Sequence, residues 1–164
     1  MEIREATIGD IDKMKEVLRD AFHDTYAGAG EFYSSSQLVD PNYSSGAGPY
    51  YDIKSFLEDN LTNIENHLKE PFKSFVAVEN NEIVGYLIVE MHKGKLWIND
   101  VVVRRDYQKG GVGKKLFEIA TKNQDNVYIW VNSKNPALNF WRKLGFGEVL
   151  EEKLMVKKIK KIKL

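Results

Sequence analysis

Apolar residues recur along this chain at two spacings, and the switches between them mark out its elements. A short opening stretch, Met1 to Ala6, reads as a strand, after which Ile11, Met14, Leu18 and Ala21 fall on one face at helical spacing. Asp10 stands just before that run as its expected cap. A second helical run covers residues 52–68, with Ile53, Phe56, Leu57, Leu61, Ile64 and Leu68 in register. Residues 27–50 between them are rich in Gly, Ser, Pro and Tyr and show no period. A connection that long is uncommon in a compact domain unless it has a task.

The spacing then changes. Ser74 to Glu79 and Glu82 to His92 read as strands joined by Asn80-Asn81, residues that tolerate the positive φ of a tight hairpin turn. Lys93-Gly94 turns the chain into a third strand, Leu96 to Val103. A glycine loop, a helix at about 113–123, a strand at 126–132, a helix at 136–144 and a last extended stretch follow. The order β-α-α-β-β-β-α-β-α-β, with no internal repeat, predicts an α/β (α+β) fold, a mixed sheet with helices packed on it.

Composition narrows the function. At 164 residues the chain suits a single domain, 1–164. Lys+Arg and Asp+Glu number 24 each, so no net field argues for nucleic acid or membrane as partner. The absence of cysteine excludes disulfides, thiolate metal sites and a cysteine nucleophile, and no metal site is expected. The first residues have no apolar run of signal-peptide length, and no stretch approaches membrane-spanning length, which makes the cytoplasm the expected location.

The most informative segment runs from Val101 to Leu116. A β-branched strand, Val101, Val102 and Val103, leads into Gln108, Lys109, Gly110, Gly111, Val112, Gly113 and Lys114, and then into a helix with Val112, Leu116, Ile119 and Ala120 on one face. Glycines let backbone amides approach a ligand closely, and a helix start adds unpaired donors and a positive dipole end. Lys114 and Lys115 fall in the first turn, where the dipole disfavours cations and a bound phosphate would reverse that penalty. The alternative is a tight turn with solvated lysines, and the loop alone does not decide between them. A Walker loop fails, because Gln108 stands where its first glycine belongs and Lys115 where Ser or Thr belongs. A dinucleotide fingerprint fails because position 116 is Leu116.

The spacing Gln108-Lys-Gly-Gly111-Val-Gly113 resembles the acetyl-CoA signature of the GNAT N-acetyltransferase superfamily, Gln/Arg-x-x-Gly-x-Gly/Ala. A second block, Asn135-Pro-Ala137 to Phe140-Trp141 and on to Gly145-Phe146, resembles that family too, in the right order, and Gly85 stands where the family often has glycine. The resemblance covers roughly 74–160. It implies a mostly antiparallel central sheet with helices on both faces, and acetyl-CoA as co-substrate. Amides from Lys109 to Lys114 would hold the pyrophosphate, the Val101–Val103 segment would lie along the pantetheine arm, and an amide of that segment would face the thioester oxygen. Asn135, Phe140 and Trp141 would flank the cofactor's far end, with helix core and helix cap as their structural alternatives.

Two departures bear on chemistry. The family often has tyrosine at Trp141, where it protonates the leaving thiolate, and indole cannot serve as that acid. Asn135 also lies six residues before that aromatic, where seven is frequent. Tyr26, Tyr33, Tyr43, Tyr50, Tyr51 and Tyr107 are alternative acids that the sequence does not separate. An amine acceptor needs a base. Asp100 leads because a charged residue interrupts an apolar strand there, with Glu90, His92 and Asn99 as neighbours and a salt-bridged Asp100 as the structural alternative. The 27–50 segment, with its tyrosines and Glu31, Asp40 and Asp52, is an expected acceptor wall. The basic tail over 153–164 reads as a final strand and a solvated end. The expected reaction is direct attack on acetyl-CoA by a primary amine in a ternary complex. A small amine or polyamine is favoured over a protein N-terminus or lysine, and over a silent acyl-CoA-binding module. The partner is then a small-molecule amine or a peptide, and a homodimer stays open.

Overall fold

The computed structural model describes residues 1–25, 53–69, 72–129, 138–147 and 156–157. Its elements are β1 (Glu2–Glu5), α1 (Ile11–Thr25), α2 (Ile53–His67), β2 (Phe72–Glu79), β3 (Glu82–His92), β4 (Lys95–Val103), α3 (Val112–Ala120), β5 (Val127–Ile129), α4 (Leu138–Lys143) and β6 (Val156–Lys157). This is the order that the hydrophobic pattern predicts. The strands form one six-stranded sheet in sequence order. Neighbours are antiparallel except β4 and β5, which run parallel with α3 as the crossover between them.

Both hairpin turns have the expected chemistry. Asn80 and Asn81 have φ of 51° and 64°, and Lys93 and Gly94 have 49° and 72°. Positive φ at both central residues gives the turn the twist that flanking strands require.

The start of α1 differs from expectation. Asp10 is not its cap but the last residue of a 3-10 turn, Ile8–Asp10, entered from Thr7. Its carboxylate accepts from the Thr7 amide at 2.7 Å and from both Arg4 guanidinium nitrogens at 2.8 Å. Those donors hold its pKa well below the usual carboxylate range, Arg4 most of all. The contact ties α1 to β1.

Each face of the sheet carries a separate core. On one, Met14, Val17, Leu18 and Ala21 of α1 and Ile64 of α2 cover Val76, Tyr86, Ile88 and Val102. On the other, Val112, Leu116 and Phe117 of α3 and Trp141 of α4 cover Val84, Leu87, Val89, Leu96 and Ile98. Gly85 permits that second packing. A Cβ there would lie 3.1 Å from the Val102 carbonyl oxygen and 3.1 Å from Val112 Cγ1. Among the described residues no helix is long and apolar enough to cross a membrane.

Candidate functional site

Two local irregularities build the site, and both lie on β4. The first is a one-residue register shift against β3, where Ile88 pairs with Asp100 but Val89 pairs with Ile98, leaving Asn99 as the extra residue. An extra residue bends a strand, increases its twist and reverses which face later side chains take. Leu96 and Ile98 therefore point into the α3 core, as do Val101 and Val103 beyond the shift. Asp100 lies beside Tyr86 and Val102 on the opposite face.

The second lies where the described pairing with β5 stops. The parallel ladder with β5 runs from Leu96↔Val127 to Ile98↔Ile129, while β4 continues to Val103. Among the described residues, Asn99 to Val103 pair only with β3. The Arg104 amide donates to Val84 on the β3 side at 2.9 Å. Peptide direction alternates along a strand, so the backbone groups of Val101 and Val103 face away from β3. With the Val103 carbonyl accepting from Gln108 and the Val101 amide donating to Asp100, the Val101 carbonyl and Val103 amide are left for a ligand. An extended ligand laid there would complete the sheet.

Asp100 is half-buried, with its carboxylate turned toward the fully buried Tyr86, whose hydroxyl donates to Oδ2 at 3.1 Å. Burial pushes its pKa up to about 6, and the Tyr86 hydroxyl and the Val101 amide, both donating to the carboxylate, pull against that rise. Among the described residues it has no ion-pair partner. The salt bridges sketched for it from sequence go elsewhere, because Arg104 pairs with Glu82 at 2.9 Å and Lys95 lies over the Tyr128 ring at 5.2 Å. Glu90 lies two pairs further along β3, and the Asn99 side-chain amide donates to it at 3.4 Å. His92 is exposed at the turn, opposite Lys95, apart from this group.

At the end of β4 the chain makes a short 3-10 turn, Arg105–Tyr107, anchored to α1 by the Arg105 amide donating to Asp20 at 2.8 Å. Gln108 donates through Nε2 to the Val103 carbonyl at 2.9 Å, so its side chain fastens the loop to the strand, leaving its backbone for a ligand. Lys109 (φ 64°) and Gly111 (φ 84°) are left-handed on either side of Gly110. That alternation curls successive amides toward one concavity.

Gly111 then caps α3, whose first intrahelical bond is Lys115 N–H to the Gly111 carbonyl at 3.0 Å. The amides of Val112, Gly113 and Lys114 precede that bond and have no partner within the helix. A Cβ at Gly111 would meet nothing within 4 Å, so the space above the loop is open. These donors fit a diphosphate. Lys109, Lys114 and Lys115 are exposed around them, Lys114 within 3.8 Å of Glu118. A cavity of about 220 Å³ behind the loop is lined by Glu79 and Asp106 as well as Lys115, a poor lining for phosphate.

Helix α4 braces this loop. A Cβ at Gly113 would come 3.2 Å from Phe140 Cζ, so the Phe140 ring lies against the first turn of α3. Trp141 is only 3% exposed and packs edge-on to Phe146 at 5.2 Å and Phe117 at 6.5 Å. Trp141 thus packs as helix core, the structural alternative given for it. Asn135, the tyrosines of the 27–50 segment and most of the basic tail lie outside the described residues. Among the described residues, no group of three His, Asp or Glu is placed to hold a metal. Sequence reasoning missed Tyr86. The signal was available, since a tyrosine inside the run Ile83 to Val89 carries a hydroxyl that must find a partner when buried.

Comparison with known proteins agrees with this geometry. Residues 70–148 match the acetyltransferase (GNAT) domain. Over 167 aligned positions the chain is 27% identical to an N-alpha-acetyltransferase of Sulfurisphaera tokodaii, covering 90% of this chain and 80% of that protein. It is 26% identical over 91 positions to the ribosomal protein bS18 alanine N-acetyltransferase of Haemophilus influenzae, covering 52% of this chain and 62% of that one. The fold matches that of the PaiA N-acetyltransferase of Thermoplasma acidophilum, solved in complex with coenzyme A, with a TM-score of 0.72 at 20% identity, covering 94% and 95% of the two chains. With a glycine-capped α3 and the two blocks in their expected order, residues 70–148 of this chain carry the acetyltransferase (GNAT) domain that the loop spacing resembles.

Proposed function

We propose that this chain transfers the acetyl group of acetyl-CoA to the α-amino group of a protein or peptide, with Asp100 as the proton acceptor. Amides from Lys109 to Lys114 hold the pyrophosphate, and the backbone of Val101 and Val103 pairs with the pantetheine arm along β4, past its last described β5 pair. Val102 turns the other way, into the core beneath α1. Phe140 supports the loop from behind. Acetyl-CoA supplies a thioester whose carbonyl carbon forms the new C–N bond as the C–S bond breaks. Asp100 takes the proton that the amine nitrogen must lose, on the sheet face opposite α3.

The observation that carries this reading is the placement of Asp100, a half-buried carboxylate that accepts from the buried Tyr86 hydroxyl and has no ion-pair partner among the described residues, so that burial pushes its pKa up to about 6. Such a base suits an α-amine, whose pKa is about 7.7–8.0, far better than a lysine amine at about 10.4. At pH 7.5 roughly one α-amine in three is neutral, against about one lysine in a thousand. The α-amine acceptors named for the Sulfurisphaera and Haemophilus relatives support the same choice over the small amine or polyamine favoured by sequence.

Release of free CoA thiol should be followed at pH 7.5 with three acceptors: a short peptide with a free α-amine, the same peptide N-blocked but carrying lysine, and a diamine. The free α-amine should react at least tenfold faster in kcat/KM. Faster turnover of the diamine restores the small-amine reading. No turnover with any acceptor points to a silent acyl-CoA-binding module.

A further inference from the structure

We propose that Tyr86 is the positioning residue for Asp100: its buried hydroxyl holds the carboxylate on the α1 face of β4 and stabilises its anionic form. This inference rests on Asp100 as the base of the proposed reaction.

The ring of Tyr86 is completely buried in the core under α1 and α2. Its apolar body packs with Met14, Val17, Ile64 and Val102, contacts a phenylalanine would make equally well. Packing therefore explains the ring and leaves the hydroxyl unexplained. A buried phenol needs a hydrogen-bond partner, and here its O–H donates to Asp100 Oδ2 at 3.1 Å. The two residues are diagonal neighbours, Tyr86 opposite Val102 and Asp100 opposite Ile88. They share a face only because the extra residue Asn99 reverses the alternation of β4. Without that shift, residue 100 would point into the α3 core.

The chemistry of the contact has one direction. A phenol with an ordinary pKa near 10 stays protonated at neutral pH, so it donates to the carboxylate and favours the ionised form. Burial disfavours that form, and the Val101 amide is the other donor opposing burial. Among the described residues the remaining surroundings are mostly apolar. Helix α1 turns Met14, Val17, Leu18 and Ala21 to this face and α2 turns Ile64. The sheet adds Ile88 opposite, the buried Ser74 hydroxyl paired across from Ile88 on β2, and Glu90 two pairs further on with His67 near it, and of these the Glu90 carboxylate does not favour ionisation. Asp20, at the far part of α1, is engaged with Arg105. Removing the hydroxyl thus takes away one of two donors and leaves burial largely unopposed.

The test is Tyr86→Phe. The acid limb of the kcat/KM profile with the α-amine peptide should move up by about one pH unit or more, the loss expected for one hydrogen bond to a charged group. Turnover should fall about fivefold or more at pH 6 and approach wild type at pH 8.5, with KM for acetyl-CoA unchanged. A carbon-13 carboxyl titration, with Asp100 assigned by its loss in Asp100→Asn, should show the same upward shift without reference to activity. Incorporating 3-fluorotyrosine, whose phenol is a stronger donor, should move the titration the other way. Ile88→Val, which thins the same core without touching a hydroxyl, should lower the melting temperature and leave the limb in place. A wild-type limb and carboxyl titration in Tyr86→Phe would overturn the proposal. Normal turnover in Asp100→Asn would instead sink the choice of base, while the carboxyl titration still judges the Tyr86 contact on its own.

Discussion

Replacing Asp100 with asparagine should make this protein more stable and nearly inactive at the same time. Burial lifts the Asp100 carboxyl from an ordinary 3.8 to about 6. The folded state therefore holds this proton more tightly than the unfolded chain does. Below about pH 3.8 both states are protonated and the group is neutral toward stability. As pH rises from 4 to 6 the unfolded chain ionises first and folding is progressively penalised. Above 6 the cost is complete, roughly 3 kcal/mol for a shift of about two units at about 1.4 kcal/mol each.

Asparagine keeps the shape, carries no charge and still accepts from Tyr86 through its carbonyl. Its amino group needs a partner that the carboxylate did not, which offsets part of the gain. The net expectation at pH 7.5 is about 1–3 kcal/mol of added stability, or several degrees in Tm. At pH 4.5 the gap should narrow by roughly 2 kcal/mol, since little of the penalty is then in force. Urea denaturation at the two pH values measures this directly, and initial rates on the same samples should fall by about a hundredfold or more. A variant less stable than wild type at pH 7.5, or a gap independent of pH, would refute the reasoning.

The loop and its support give two further tests. Gly111→Ala places a side chain on a residue at φ 84° with open space around it, so its cost is conformational, about 1–2 kcal/mol. Calorimetry should show acetyl-CoA affinity reduced at least about tenfold as the amides leave their alignment, and unchanged affinity in a folded variant would remove the loop from the site. Gly85→Ala drives a Cβ to 3.1 Å from both the Val102 carbonyl and Val112 Cγ1, an overpacking worth about 1–3 kcal/mol. Thermal melts should show that loss together with weaker acetyl-CoA binding, because Val112 sits at the base of the loop; an unchanged Tm would mean that β3 and α3 do not need the glycine.

Most of the fold was legible because periodicity survives packing. The runs at Ile11 to Ala21 and at Ser74 to Glu79 have a buried side, and burial writes the period into sequence. The Gln108 to Gly113 loop was legible for another reason, since left-handed backbone and close approach constrain residue type directly. Contacts made across sequence were not legible. Asp10 looked like a cap although Thr7 stands at capping-box spacing before it, and only the Arg4 bond from β1 to its carboxylate is a contact no pattern announces. Which rings Trp141 meets was hidden because its neighbours Phe117 and Phe146 are set by the crossing of α3 and α4, which no period encodes.

Asp100 marks the boundary between these cases. Two polar residues in succession, Asn99 and Asp100, interrupt an apolar strand, and that break was read as chemistry without its cause. The cause is the register shift, which allows one strand to bury Leu96, Ile98, Val101 and Val103 on one face while presenting Asp100 on the other. The described pairing with β5 ends just before that residue, at Ile98↔Ile129, so one extra residue both re-aims a carboxylate and stands where that described pairing stops. A strict alternation would have turned residue 100 into the α3 core. The strand instead carries a half-buried carboxylate just past the last described β5 pair, which is where the proposed reaction needs its proton acceptor. On that proposal, function rests on an irregularity in the sheet, placed between a glycine loop that fits a diphosphate and a buried phenol that donates to the carboxylate.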